Sequence, residues 1–183
     1  MGMGEELDVL KDISQRLANA RISYMITGSM AMNLYARPRM TRDIDIVIHL
    51  SSDCLKILVD ALEKDYYIDP DIVRQALNRP PHMFNVIHED VIVKVDFIIK
   101  QDNIYANTAF GRRRSFDLFE QEIDVISPED LIISKLNWAR DSYSEIQLND
   151  VRTLLSIDEL DMLYIKKWIC NLELYSIWKA VQS

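Results

Sequence analysis

The sequence predicts an α/β (α+β) protein in which a central mixed β-sheet is flanked by helices and followed by a C-terminal helical segment. Three observations predict this. Short β-rich apolar runs alternate with segments of helical period up to about residue 126. From Ser127 onward the period is helical alone. The 183 residues, 49% hydrophobic and 27% charged, are enough to bury a core without disulfides or metals to staple it. The organisation expected is a mixed core over residues 1–126 with a helical segment, residues 127–183, packed on it.

The elements follow in order. Leu7, Leu10, Ile13 and Leu17 recur at helical spacing and predict a helix over 5–20. Ile22 to Thr27 reads as a strand. Gly28-Ser29 ends it, and Met30 to Ala36 reads as a helix broken by Pro38. Asp43 to Leu50 reads as a second strand. Ser51 or Ser52 is the expected cap of a helix reaching Lys64. Asp69-Pro70-Asp71 opens a short helix that stops before Pro80-Pro81. Phe84–Ile87 and Val91–Ile99 read as strands joined by a turn at His88-Glu89-Asp90. Residues 102–112 fit neither period. Phe116–Phe119 and Glu122–Ile126 read as a shorter strand pair. Ser127-Pro128-Glu129-Asp130 combines a cap, a proline in the first turn and acids at the positive helix end. Ser144 with Gln147 predicts a second capping box, and two further helices are expected over 159–170 and 172–181.

Charge and composition exclude several classes. The net charge of −8 argues against loose, general nucleic-acid binding. A nucleic-acid acceptor would need a local basic patch, for which Arg37, Arg39 and Arg42, or Arg112, Arg113 and Arg114, are the candidates. No apolar run approaches a membrane span, and the start of the chain has no signal-peptide core. A cytoplasmic protein without membrane association is expected, with Cys54 and Cys170 as reduced core thiols. His49, His82 and His88 lack zinc spacing.

Three pieces carry chemistry. Thr27-Gly28-Ser29 lies between a strand and a helix. Gly28 lets a phosphate approach the backbone, and the helix amides and the Ser29 hydroxyl can face an anion. The same residues also suit a plain turn. Asp43 and Asp45 alternate along a strand and so share a face, while Ile44, Ile46 and Ile48 point the other way. Two like charges that close raise each other's proton affinity, and a hard divalent cation, magnesium or manganese, would relieve them. Two exposed aspartates at a strand start would look alike. Asp96 stands in the apolar run Val91–Ile99, where an unpaired carboxylate is costly. Either a salt bridge to Lys94 or a metal shared with Asp43 and Asp45 would satisfy it.

Strand, Gly28-Ser29, 13 residues, Asp43-Ile44-Asp45 and then Asp96 between apolar residues resembles the nucleotidyltransferase superfamily of the polymerase-β type. The resemblance spans about residues 22–99 and implies that fold, with residues 1–126 as its catalytic core. It also implies roles. Asp43 and Asp45 would hold two magnesium (or manganese) ions. Asp96 would hold the catalytic ion and help to activate the attacking hydroxyl. Gly28 and Ser29 would grip the triphosphate of the nucleotide substrate, with Arg42 as a further nucleotide contact.

The helical half adds two charges on apolar faces. Lys135 lies among Leu131, Ile132, Trp138 and Ala139. Asp150 lies between Ile146 and Leu154. Buried charges are normally paired or functional. They form a structural salt bridge, or Lys135 meets the nucleotide phosphates with Asp150 orienting it. Ser127 to Leu136, then Arg140 and Asn149-Asp150-Val151, together with Arg39-Met40-Thr41-Arg42 ahead of the acids, resemble the AbiEii-like branch. That branch implies an acceptor hydroxyl on an RNA 3′ end or a protein, and toxin–antitoxin membership with a cognate antitoxin. Two alternatives stand beside it: a transferase for an aminoglycoside-like small molecule, and a non-catalytic nucleotide- or partner-binding module. The aromatic spacing of Tyr164, Trp168 and Trp178 suits a core or the face of a homo-oligomer.

Overall fold

The computed structural model describes residues 4–36, 41–118 and 120–182. Pro38, the arginines 37 and 39, and Phe119 lie outside them. The described residues form a seven-stranded mixed sheet in the order β3-β4-β5-β2-β1-β7-β6. The strands are β1 (Tyr24–Thr27), β2 (Ile44–Ile48), β3 (Tyr66–Tyr67), β4 (Met83–His88), β5 (Lys94–Ile99), β6 (Arg114–Leu118) and β7 (Gln121–Val125). β2 runs antiparallel to β1 and parallel to β5, while β7 closes parallel to β1.

The helices are α1 (Gly4–Asn19), α2 (Gly28–Tyr35), α3 (Leu55–Leu62), α4 (Pro70–Asn78), α5 (Ile104–Gly111), α6 (Pro128–Ala139), α7 (Glu145–Leu154), α8 (Met162–Asn171) and α9 (Tyr175–Gln182). α3 packs against both α1 and α4, whereas α6 packs against α2, α7, α8 and α9. One continuous apolar cluster runs from Val9 to Val181 and draws on both the sheet and the C-terminal helices.

Local chemistry explains most boundaries. Asp69 accepts a hydrogen bond from the Asp71 amide at 2.8 Å ahead of Pro70, so α4 starts where the sequence predicts. Ser127 Oγ accepts from the Asp130 amide at 3.1 Å and donates to the Asp130 carboxylate at 2.7 Å. This reciprocal cap pins the start of α6.

Some expectations are corrected. Ser144 precedes α7 but its side chain makes no cap hydrogen bond, and Gln147 turns elsewhere. Ser51 likewise makes none, and the chain enters α3 through a 3-10 turn at Ser52–Cys54. β5 starts at Lys94 rather than Val91, because Ile92 takes a left-handed φ of 54° that breaks the extended run. Residues 104–111 are helical, with Asn103 Oδ1 accepting from the Ala106 amide at 2.8 Å. The two-residue strand β3 had no period to reveal it. Cys54 is only partly buried and Cys170 is exposed, so neither is a fully buried core thiol. Trp168 and Trp178 are buried.

Candidate active site

Strand alternation builds the site. Along β2, Ile44, Ile46 and Ile48 are fully buried on one face. Asp45 and Val47 therefore take the opposite face. The parallel register sets Asp45 beside Asp96, and the antiparallel register sets Thr27 on the other side of Asp45. Two carboxylates thus lie on adjacent strands, whose spacing is about 4.8 Å. Asp43 precedes β2 and stands at the open end, its side chain 64% exposed against 20% for Asp96.

These residues line one pocket of about 260 Å³, together with Gly28, Ser29, Ser134, Lys135, Trp138 and Gln147. Gly28 is needed there twice over. Its φ is +62°, and a Cβ would fall 2.0 Å from Asp45 Oδ2. The glycine thus allows α2 to begin directly against the Asp45 carboxylate.

Burial and crowding set the Asp45 carboxylate of the pocket against its own ionisation. Burial, then the neighbouring Asp96 and Asp43 carboxylates, push the Asp45 carboxyl above its ordinary range, while Lys135 and Lys94 pull the other way. Lys94 Nζ lies 2.6 Å from Asp96 Oδ2 and 3.8 Å from Asp43 Oδ1. The hydrogen bond to Asp96 and the acids around it outweigh burial and hold the Lys94 ammonium above its usual range. The salt bridge to Lys94 considered for Asp96 is therefore formed.

Among the described residues, no three His, Cys, Asp or Glu side chains are gathered tightly enough to form a ready metal cage. The donor set nonetheless suits a hard divalent cation. It consists of carboxylates, and one of them is raised by burial and by the acids beside it.

Opposite the acids, Lys135 Nζ lies 2.7 Å from Asp150 Oδ2 and accepts no exposure to speak of, its side chain being 4% exposed. It also donates to Gln147 Oε1 at 3.2 Å. The Lys135–Asp150 pair therefore exists as a salt bridge, and its lysine lines the pocket as well. Arg42 is exposed and is not among the residues that line the pocket. Gln147, Ser134 and Trp138 were missed as site residues. A signal was present, since Trp138 lies one turn after both Ser134 and Lys135 on α6 and Gln147 lies one turn before Asp150.

The second basic candidate proves to be committed. Arg112 pairs with Glu129 at 3.1 Å and Asp130 at 3.3 Å, Arg113 with Asp124 at 2.7 Å, and Arg114 with Glu129 at 3.7 Å.

A mixed sheet carrying acids on two adjacent parallel strands, beside a Gly-Ser turn that opens a helix, is the nucleotidyltransferase fold. Residues 6–176 match the family described as nucleotidyl transferase of unknown function (DUF2204), and the chain belongs to that family.

Solved structures share the architecture. The antibiotic-resistance factor ANT(2'')-Ia superimposes with a TM-score of 0.65 at 12% identity, over 98% of this chain and 96% of its own. The same factor in complex with adenylyl-2''-tobramycin gives 0.61 at 12% identity, over 95% and 99%. The lincosamide antibiotic adenylyltransferase LnuA, lincomycin-bound, gives 0.54 at 17% identity, over 84% and 96%. At these identities the likeness is one of fold. No curated protein matched the sequence. Among the described residues, no helix is long and apolar enough to cross a membrane.

Proposed function

We propose that this protein transfers a nucleoside monophosphate from a nucleoside triphosphate to an acceptor hydroxyl and releases pyrophosphate. The observation that carries this is the single pocket in which Asp43, Asp45 and Asp96 face Lys135 and the Gly28-Ser29 turn. Such chemistry needs charge neutralisation and in-line positioning more than covalent catalysis. Two magnesium or manganese ions held by Asp43, Asp45 and Asp96 would neutralise the attacking and leaving oxygens.

The chain's own groups supply the rest. Asp96 accepts the proton of the acceptor hydroxyl. The freed oxygen bonds to the α-phosphorus, and the bond from that phosphorus to the bridging oxygen breaks toward pyrophosphate. Ser29 and the first amides of α2 bind phosphate oxygens. Lys135 contributes a positive charge to the triphosphate, with Asp150 and Gln147 positioning its ammonium. Arg42 reaches the nucleotide from outside the pocket.

Among acceptors, a small hydroxyl-bearing molecule is favoured over an RNA 3′ end. Of the two basic runs that could track a phosphate backbone, Arg112, Arg113 and Arg114 are paired with Glu129, Asp130 and Asp124. The similar folds that carry lincomycin or adenylyl-2''-tobramycin support the same choice. A protein acceptor, and a toxin role with a cognate antitoxin, rest on the AbiEii-like resemblance.

The test is incubation with α-labelled nucleotides and magnesium against three acceptor pools: hydroxylated small molecules, total RNA and cell protein. Label is expected in the small-molecule pool, and the Asp43→Ala, Asp45→Ala double variant should show none. Transfer to no pool, or transfer that survives the double variant, overturns the assignment.

A further inference from the structure

A second pocket of about 200 Å³ adjoins the acid pocket and shares Thr27, Ile98, Ser134 and Trp138 with it. Its floor follows from strand register. Thr27, Asp45 and Asp96 form one row across β1, β2 and β5; Met25, Val47 and Ile98 form the next row on the same face. Two residues along a strand is about 7 Å. Tyr105 and Ala106 of α5 and Trp138 of α6 wall this second row. Among the described residues no carboxylate lines it, while Lys100 and the amides of Gln101 and Asn103 do.

We propose that this apolar pocket seats the nucleobase of the triphosphate whose phosphates bind at the acids, with Trp138 as its stacking wall. The inference rests on the nucleotidyl-transfer reading and deepens it. A nucleobase has two apolar faces and a polar edge, which matches an apolar floor, an indole and flanking amides. A cationic acceptor would find Lys100 and no counter-charge. A polyhydroxylated acceptor would leave hydroxyls unsatisfied against Met25, Val47 and Ile98. The ribose joins the base to the α-phosphate, which is the link a gap of one row requires. Trp138 is 57% exposed, an unusual position for an indole that only packs. Base-on-aromatic stacking tolerates any base, so the pocket accounts for nucleotide binding without fixing which nucleotide.

The experiment is calorimetric titration of the full chain in magnesium with ATP and, separately, with inorganic triphosphate. Trp138→Ala removes the stacking wall. Ala106→Leu fills the pocket from α5 and leaves the acid pocket intact, so the test does not hang on one substitution. Wild type is expected to bind ATP about tenfold more tightly than triphosphate. Both variants should lose most of that preference, and Ala106→Leu, whose residue does not line the acid pocket, should hold triphosphate as before. Equal affinity for the two ligands in wild type overturns the nucleobase site, as does either variant leaving the preference intact or Ala106→Leu weakening both ligands alike. If neither ligand binds wild type, the nucleotidyl-transfer reading itself falls and takes the subsite with it.

Discussion

At the scale of single residues, Asp45 sets its proposed role against the stability of the fold. It lies against Gly28, beside Asp96, and ionises less readily than a free aspartate because burial and neighbouring acids oppose its charge. The unfolded chain, with a carboxyl near 3.8, gives up that proton sooner. The folded state therefore loses stability as pH rises from that value through the raised folded range. Asp45→Asn removes the penalty. It is expected to raise the Tm of the metal-free protein at neutral pH while abolishing nucleotide transfer. The gain in Tm should shrink as pH falls below the carboxylate range, which calorimetry in a chelator would show. A lower Tm at neutral pH would mean that the carboxylate is a net support for the fold.

Lys94 poses a related question. Its ammonium lies between Asp96 and Asp43, where a bound divalent ion would compete with it. Half-exposed ion pairs contribute up to about 1 kcal/mol. Lys94→Met is therefore expected to tighten manganese binding by up to about fivefold, read by the paramagnetic resonance signal of free manganese. Weaker binding would instead give Lys94 a part in holding the acids in place. The Gly-Ser turn, Asp43 and Asp45 were legible as candidates because strand alternation puts the two acids on one face, whereas only the family resemblance joined Asp96 to them. That Lys94 bridges Asp96 and Asp43 was half legible. Lys94 and Asp96 share a face by alternation, but the reach to Asp43 depends on the β2–β5 pairing.

At the scale of elements, α6 and α7 form the wall opposite the acids. Lys135 and Asp150 are both buried, so removing one partner leaves the other uncompensated. Lys135→Met should destabilise the fold by about 3–5 kcal/mol in urea titration. The double variant Lys135→Met, Asp150→Leu should recover most of that stability, because an apolar pair can replace a buried ion pair. Its affinity for triphosphate should stay low. Recovery of both would make the pair purely structural. The helical period announced α6 and α7, and Ser127 announced where α6 starts. The period did not announce that Gln147 turns toward Lys135 instead of capping α7. That choice depends on a neighbour twelve residues away in sequence. Helix α5 was missed for a simple reason: only the adjacent Ala109 and Phe110 are buried, too few to set a helical stripe, and its Asn103 cap is what distinguishes it.

At the scale of the whole molecule, the helical segment is tied to the rest through buried polar groups as well as apolar ones. Tyr164 of α8 donates to Asp130 at 2.7 Å, Arg112 from the end of α5 reaches both Asp130 and Glu129, and its guanidinium lies 3.9 Å from the Tyr164 ring centre. Asp130 is itself fully buried, so each of these partners answers a cost that would otherwise fall on the fold. Tyr164→Phe deletes a hydrogen bond to a buried carboxylate and should cost roughly 1.5–3 kcal/mol. Because residues 9–181 share one core cluster, the loss should shift a single unfolding transition, with near- and far-ultraviolet dichroism coinciding. Two separated transitions would make residues 127–183 a folding unit of their own.

By itself, the sequence determined most of the strands and helices, the starts of α4 and α6, and the strand face that Asp45 takes. Each of these follows from interactions within a few residues: period, caps, and the shared face of alternate strand positions. Only the tertiary structure decided which charges meet. Strand order set Asp96 beside Asp45, helix packing closed Lys135 onto Asp150, and the three arginines at 112–114 were drawn into ion pairs rather than left as a basic patch. Partners distant in sequence are chosen by how buried faces pack, and no local spacing records that choice.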